Sequence, residues 1–201
     1  MPYPPEHKPR THARIVEVAA RMFREDGMQA TGIDRLMAEA GLTRGGFYAH
    51  FPSKAALFAE ALRHAFGEAR ENLLAKGLDR LSGRDWVLGA TRRYLARDHE
   101  EAPGLGCAIP TLGAEVARAP SEVREAFADE VDKILDGLVT RSGADRGEAM
   151  ALLATWVGAI TLARALPDEA QADAVLDAAR AHIAASFARS EPEAPVSPDA
   201  S

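Results

Sequence analysis

The sequence predicts an all-α protein, and three observations support this prediction. Apolar residues recur at helical spacing along most of the 201 residues, no stretch alternates steadily between apolar and polar residues, and glycines or prolines separate the periodic segments. Hydrophobic residues make up 47% and charged residues 27% of the chain, which is typical of a globular protein with a sizeable core. We therefore expect helices joined by short turns.

The first quarter of the chain is predicted to form three helices. The predicted helices span about residues 9–26, 33–40 and 44–50. Gly27 follows the first apolar stripe and ends that helix as a C-terminal cap. Thr31 and Asp34 have the spacing of a capping box and open the second helix. Thr43 is placed to cap the third helix, so each of the three has a start or stop signal.

Longer helices are predicted for the rest of the chain. They span about residues 53–77, 82–101, 108–119, 121–141, 145–165 and 168–189. Ser53 and Ser121 are placed to cap two of them, and Ser82 with Asp85 forms another capping-box pattern. The stretch 150–162 is apolar around its whole circumference, so we expect it to be buried on all sides. Three prolines within residues 191–201 predict a disordered tail.

Charge and cysteine content narrow the class of protein. The net charge is −6, but residues 1–54 carry eight Lys/Arg against six Asp/Glu, so a polyanion would be attracted only to that part. Cys107 is the single cysteine, which excludes an intramolecular disulfide and suits a reducing cytoplasm. The longest uncharged run has 15 residues, Ala149 to Ala163, and is too short to span a bilayer. We expect a soluble cytoplasmic protein.

The second and third helices have the layout of a helix-turn-helix. A tight connection, residues 41–43, joins them. Phe47 and Phe51 stand four residues apart on one face and are expected to pack inward. Thr43, Arg44 and Tyr48 then project outward, where a helix can enter a DNA major groove.

Two glycines inside the third helix need an explanation, because each costs about 1 kcal/mol relative to alanine. Gly45 and Gly46 either let the helix backbone approach DNA closely, or allow tight packing against the preceding helix, or mark a loop. Tyr48, His50 and Lys54 place polar tips near the same face and resemble a phosphate clamp. Taken singly, each of these three also fits an ordinary packing or surface role.

The segment Thr43-Arg-Gly-Gly-Phe-Tyr-Ala-His-Phe-Pro-Ser-Lys54, followed by Leu57, closely resembles the DNA-binding segment of TetR-family transcriptional regulators. The resemblance covers roughly residues 12–60. It implies a helix-turn-helix domain over residues 1–53, a helical effector-binding and dimerisation domain over 54–190, and a tail over 191–201. By position, it assigns DNA contacts to Thr31, Thr43, Arg44, Gly45, Gly46, Tyr48, His50 and Lys54.

The resemblance also implies a function. We expect a homodimeric repressor that binds a palindromic operator in double-stranded DNA and is released by a small-molecule effector. The two last predicted helices are the expected dimer interface, and neither a catalytic residue, a cofactor, a metal nor a membrane is expected to take part. Bulky residues suggest an apolar or amphipathic effector. The candidate effector-binding residues are Trp86, Tyr94, Cys107, Phe127 and Trp156.

Three alternatives stay open. Cys107 is an inert small hydrophobic residue, a pocket residue or a redox- and electrophile-sensing thiol, since a helix start near it would lower the pKa of its thiol. The second alternative is an enzyme that uses Cys107, His99 and Asp98. It is disfavoured because the sequence shows no oxyanion loop or phosphate cradle to accompany them. A helical adaptor that binds proteins would leave Tyr48, Lys54 and the glycine pair without a role.

Overall fold

The computed structural model describes residues 7–188, and every regular element in this range is a helix. The first elements are α1 (His7–Asp26), α2 (Ile33–Glu39), a 3-10 helix (Arg44–Ala49) and α3 (Lys54–Ala69), which continues as a π-helical segment (Arg70–Ala75). The later helices are α4 (Gly83–Tyr94), α5 (Arg97–Glu101), α6 (Ala108–Val116), α7 (Ser121–Ser142), α8 (Arg146–Ala165) and α9 (Glu169–Ala188). The all-α prediction is confirmed, and the predicted disordered tail lies outside the described residues.

The ends of the helices confirm some of the predicted caps and contradict others. Gly27 adopts a left-handed φ of 83° after α1, and the hydroxyl of Ser53 accepts a hydrogen bond from the Ala56 amide at 3.0 Å. The capping box at Thr31 is wrong: Gly32 is the N-cap of α2, and no side chain caps it. Ser82 precedes α4 without a side-chain cap. Two further predicted caps are also absent: the hydroxyl of Thr43 caps no amide, and Pro120, rather than Ser121, precedes α7.

The single helix predicted over residues 82–101 is broken in two, after Tyr94. The backbone of Ala96 is extended, and side chains from elsewhere satisfy the carbonyl groups that the break frees. Arg180 of α9 donates to the Leu95 carbonyl at 2.6 Å, and the His99 ring contacts the Tyr94 carbonyl through Nδ1 at 2.5 Å. These partners compensate for the helical hydrogen bonds that are lost.

Helix α3 packs against both parts of the molecule. Phe58 of α3 meets Phe23 of α1 edge to face, with ring centroids 5.1 Å apart. Near the other end of α3, Phe66 meets Phe127 of α7 in the same manner at 5.5 Å. The buried residues of both parts form one continuous core. The predicted domain boundary at residue 53 therefore falls just before the helix that both parts share.

Helix α8 is buried on one face only, so the prediction that it is buried all round is wrong. The helix packs on α7 and α9, but Met150 is 49% and Leu162 59% exposed. We use the name outer stripe for seven uncharged positions that are exposed or half-exposed and lie on one side of α8: Ala151, Ala154, Thr155, Gly158, Thr161, Leu162 and Ala165. Of the helices described, α8 alone is long and apolar enough to cross a membrane, and 39% of that window is buried. Core helices of soluble proteins have the same composition.

Candidate nucleic-acid interface

The surface around the 3-10 helix carries most of the predicted DNA contacts. Phe47 is fully buried and fixes this helix to the core, with its ring edge to face against Tyr48 at 5.1 Å. Tyr48 itself is 65% exposed, and Thr43 and Arg44 are exposed as well. The buried phenylalanine thus holds the segment while its neighbours face solvent.

The segment is a 3-10 helix over Arg44–Ala49, where an α-helix over residues 44–50 was predicted. The amide of His50 bonds to the Phe47 carbonyl at 2.9 Å, three residues back. Gly45 and Gly46 disfavour an α-helix, and short stretches of the tighter 3-10 form are common. Six residues wound at three per turn still present one exposed edge.

The space around Gly45 and Gly46 tests the explanations proposed for the two glycines. A Cβ atom at Gly45 would meet no described atom within 4 Å, and one at Gly46 would only touch the Met37 methyl at 3.7 Å. Neither glycine has a positive φ. Tight packing and a left-handed backbone therefore explain neither of them. Two explanations remain: the irregular 3-10 backbone itself, or a surface that an external molecule approaches closely.

Arg44 is held by a neighbouring carboxylate. Its Nη1 lies 2.8 Å from Oδ2 of Asp34 on α2, and both side chains are about two-thirds exposed, 67% and 64%. An exposed ion pair of this kind contributes at most about 1 kcal/mol. The ion pair with Asp34 thus orients the Arg44 side chain beside the glycines, and its small free energy lets the guanidinium exchange Asp34 for another acceptor.

His50 and Lys54 flank the 3-10 helix on the side of α3. The His50 ring is half-buried, 6.0 Å from the ring of His12 on α1, and His12 stacks on Phe51 at 4.4 Å. Lys54 is the first residue of α3. Burial lowers the pKa of Lys54, and the negative charge of Glu115 opposes this shift. Lys54 and the N-terminal amides of α3 together form a place that favours an anion.

Thr31 differs from the other assigned contacts because it is fully buried. Its hydroxyl donates to the Gly27 carbonyl at 2.8 Å and holds the turn between α1 and α2. We do not include it among the proposed DNA contacts. His12 is a residue that the sequence reasoning missed, and its position in α1 gives no local signal of its closeness to His50.

Three of the candidate effector residues lie together in the core of the second part. Tyr94 stacks on Trp156 with ring centroids 5.0 Å apart, and Trp156 Nε1 donates to the Thr91 hydroxyl at 3.1 Å. Cys107 is fully buried nearby. Its amide donates to His99 Nε2 at 3.0 Å.

The environment of Cys107 weighs against the sensor alternative. Burial raises the pKa of Cys107, and the hydrogen bond to Tyr94 only partly opposes this. The start of α6 does lower this pKa through the backbone of Ile109, as expected, but desolvation outweighs that effect and the net shift is upward. Phe127 and Trp86 lie apart from this group: Phe127 lines an apolar groove between α7 and α8, and Trp86 lines a separate cavity beside α7.

Known proteins resemble this chain at the level of both sequence and fold. The family model described as bacterial regulatory proteins, tetR family, matches residues 15–61. The HTH-type transcriptional repressor Rv1474c of Mycobacterium tuberculosis is 30% identical over 173 residues, which cover 74% of this chain and 91% of that protein. The HTH-type transcriptional repressor KstR2 of Rhodococcus jostii is 38% identical over 69 residues, which cover 32% of this chain and 33% of that protein.

A solved structure extends the likeness to nearly the whole chain. The TetR transcriptional regulator from Chloroflexus aurantiacus superposes with a TM-score of 0.75 at 28% identity and covers 92% of this chain and 97% of its own. The matched segment 15–61 contains the exposed glycine pair and its flanking residues. This chain belongs to the TetR family of DNA-binding transcriptional regulators.

Proposed function

We propose that the protein is a cytoplasmic homodimeric repressor that binds a palindromic operator and is released by a small-molecule effector. One observation carries the DNA-binding half of the proposal: Gly45 is exposed with open space where its side chain would be, and the half-exposed Gly46 beside it has only the Met37 methyl within contact distance. An edge without side chains lets the backbone come close to the floor or wall of a major groove. Tyr48 and Lys54 then reach phosphates on either side.

The outer stripe of α8 supports the dimer. It repeats every three or four residues and carries no charge, although a solvent-facing stripe of a surface helix is normally polar. The exposed leucine in it, Leu162, would be covered by the same stripe of a second copy. A twofold dimer presents two copies of the 3-10 helix to half-sites about 34 to 36 Å apart. The operator is therefore an inverted repeat.

Release by an effector requires a connection between the two parts of the molecule. Helix α3 provides one, because it packs on α1 at one end and on α7 at the other. An effector that binds more tightly to one arrangement of the dimer shifts the population toward it, and DNA affinity falls by the same free energy. We propose that the favoured arrangement sets the two 3-10 helices at the wrong spacing.

Selection of bound duplexes from a random pool tests the proposal, with two glycine variants as a matched pair. Gly45→Ala adds one methyl group at the proposed interface. Gly67→Ala adds one inside α3, where the new Cβ also meets no described atom within 4 Å. We expect a palindromic consensus for the wild type, unchanged binding for Gly67→Ala, and at least tenfold weaker binding for Gly45→Ala with an unchanged or higher melting temperature. Equal affinity of all three proteins for the selected duplex would contradict the proposed interface.

A further inference from the structure

The start of α1 carries a cluster of positive charge outside the surface already assigned to DNA. Residues 8–14 contain Lys8, Arg10 and Arg14 and no carboxylate, and all three of these residues are exposed. The chain as a whole has a net charge of −6, so this segment differs in charge from most of the molecule. A local excess of cations attracts a polyanion, and DNA is the polyanion that regulators of this family bind.

The arginines that follow are neutralised within the molecule, whereas two of the cations at the start of α1 are not. Every arginine in residues 15–44 pairs with a carboxylate, in the pairs Arg21–Glu39, Arg24–Glu68, Arg35–Asp26 and Arg44–Asp34. Lys8 and Arg14 form no ion pair with any other residue of the described range, 7–188. Because no internal carboxylate competes for these two charges, an external anion meets both of them at no cost in broken ion pairs.

Two contacts place the start of α1 alongside the 3-10 helix. Just beyond the end of that helix, the His12 ring stacks on Phe51 with ring centroids 4.4 Å apart, and His12 Nε2 lies 2.7 Å from Oε2 of Glu60 on α3. Just before the 3-10 helix, the guanidinium of Arg14 lies over Gly41, where a Cβ atom would come within 3.2 Å of Nη2. The start of α1 is therefore held next to both ends of the segment that faces the DNA groove.

We propose that Lys8 and Arg14 bind DNA phosphates at the border of the groove that the 3-10 helix enters. Lysine binds a phosphate as a point charge, and arginine can bind one through two parallel hydrogen bonds. Such contacts fix the position of the protein on the duplex and carry no sequence information. The proposal rests on the proposed function, and it extends each half-site to phosphates beyond the bases that are read.

The dependence of affinity on salt tests the two contacts in the full-length protein. Lys8→Gln and Arg14→Gln each remove one exposed charge, and Arg124→Gln removes one from an exposed position of α7 as the matched control. We expect unchanged melting temperatures, because surface substitutions of this kind have small effects on stability. Fluorescence anisotropy with the selected duplex and with a random duplex measures affinity over a range of salt concentrations.

Counterion release sets the size of the expected effect. Each neutralised phosphate contributes about 0.9 to the slope of log affinity against log salt concentration, and each substitution removes one contact from both subunits of the dimer. We therefore expect Lys8→Gln and Arg14→Gln to reduce this slope by about 1.8 and to weaken both duplexes at least about tenfold at about 0.1 M salt. Slopes equal to that of Arg124→Gln would overturn the proposal.

Duplexes in which single phosphates are replaced by uncharged methylphosphonates locate the contacts. We expect one replacement per half-site to weaken binding of the wild type and to have no further effect on Lys8→Gln, and a different replacement to behave in this way for Arg14→Gln. Such non-additivity is the signature of two groups in direct contact. If every replacement weakens the wild type and both variants by the same factor, neither side chain binds a phosphate and the proposal is wrong.

Two further outcomes separate this proposal from the proposed function. Selection from a random pool should give Arg14→Gln the same palindromic consensus as the wild type, and a changed preference at a base pair would assign Arg14 to base reading and overturn its phosphate role. If the wild type selects no palindromic duplex, the proposed function fails. If the wild type selects one and both variants keep its affinity and slope, only the contacts from α1 are wrong.

Discussion

The carboxylate of Glu115 accepts a hydrogen bond from the backbone N–H of Met28 at 2.6 Å. Helix α6 is therefore joined directly to the turn that follows α1. The same carboxylate lies against Gly27, where a Cβ atom would come within 2.5 Å of Oε1. Glycine is thus favoured here by its left-handed φ of 83°, and a larger residue would also displace the Glu115 carboxylate.

The first prediction concerns this contact. Glu115→Ala leaves the Met28 N–H without its partner, and we expect a loss of stability of about 1 to 3 kcal/mol. Urea unfolding measures the loss, and hydrogen exchange at Met28 should become faster. Glu115→Gln retains an acceptor oxygen and should recover most of the stability. An unchanged exchange rate at Met28 in Glu115→Ala would show that the contact is not formed in solution.

The second prediction separates reading of bases from binding of phosphates. Arg44→Ala should cost about 1 to 3 kcal/mol on the selected operator and relax the preference at one base pair per half-site. Lys54→Ala should weaken specific and random duplexes alike and reduce the dependence of affinity on salt. Fluorescence anisotropy on both duplexes at several salt concentrations measures each effect. An equal loss on both duplexes for Arg44→Ala would exclude the base-reading role.

The third prediction is a dependence of stability on pH that arises from His99. Burial, assisted by Arg164, lowers the pKa of His99 from 6.5 to about 4 against the opposing bond to Tyr94. The unfolded chain therefore binds the proton more readily. The contribution of neutral His99 to the free energy of unfolding should therefore be fully present above pH 6.5. It should be lost progressively as the pH falls toward 4, by about 3 kcal/mol in total.

Urea unfolding of wild type and His99→Gln between pH 4 and 7 isolates this contribution. The variant is expected to be less stable at pH 7, because the Cys107 amide and the Tyr94 carbonyl lose their ring partner. The gap between the two proteins should narrow as the pH falls. A gap that stays constant over this range would mean that His99 titrates normally.

The fourth prediction tests the dimer surface. Leu162→Asp places a charge within the outer stripe of α8, and we expect it to give a monomer with much weaker operator binding. Leu105→Asp is the control, because Leu105 is 70% exposed and lies in the turn before α6. Sedimentation velocity at micromolar concentration distinguishes the states. A dimer that persists in Leu162→Asp would place the interface on another surface.

Local patterns predicted the helices well where the signal itself was local. The left-handed glycine that ends α1 and the serine that caps α3 act on their own neighbours, and both are confirmed. The break between α4 and α5 has no such signal. It depends on Arg180, which bonds to a carbonyl 85 residues earlier in the chain. The same applies to Glu115 and Met28, which are 87 residues apart.

The sequence by itself determined the all-α class, the helix-turn-helix and the family, because helical periodicity, turn residues and a contiguous motif are properties of neighbouring residues. Only the tertiary structure decided that Thr31 is buried while Gly45 is exposed, that α8 has an uncovered stripe, and that Arg14 lies over Gly41. Burial and side-chain contacts depend on which distant segments pack together. The spacing of residues along the chain does not reveal that packing.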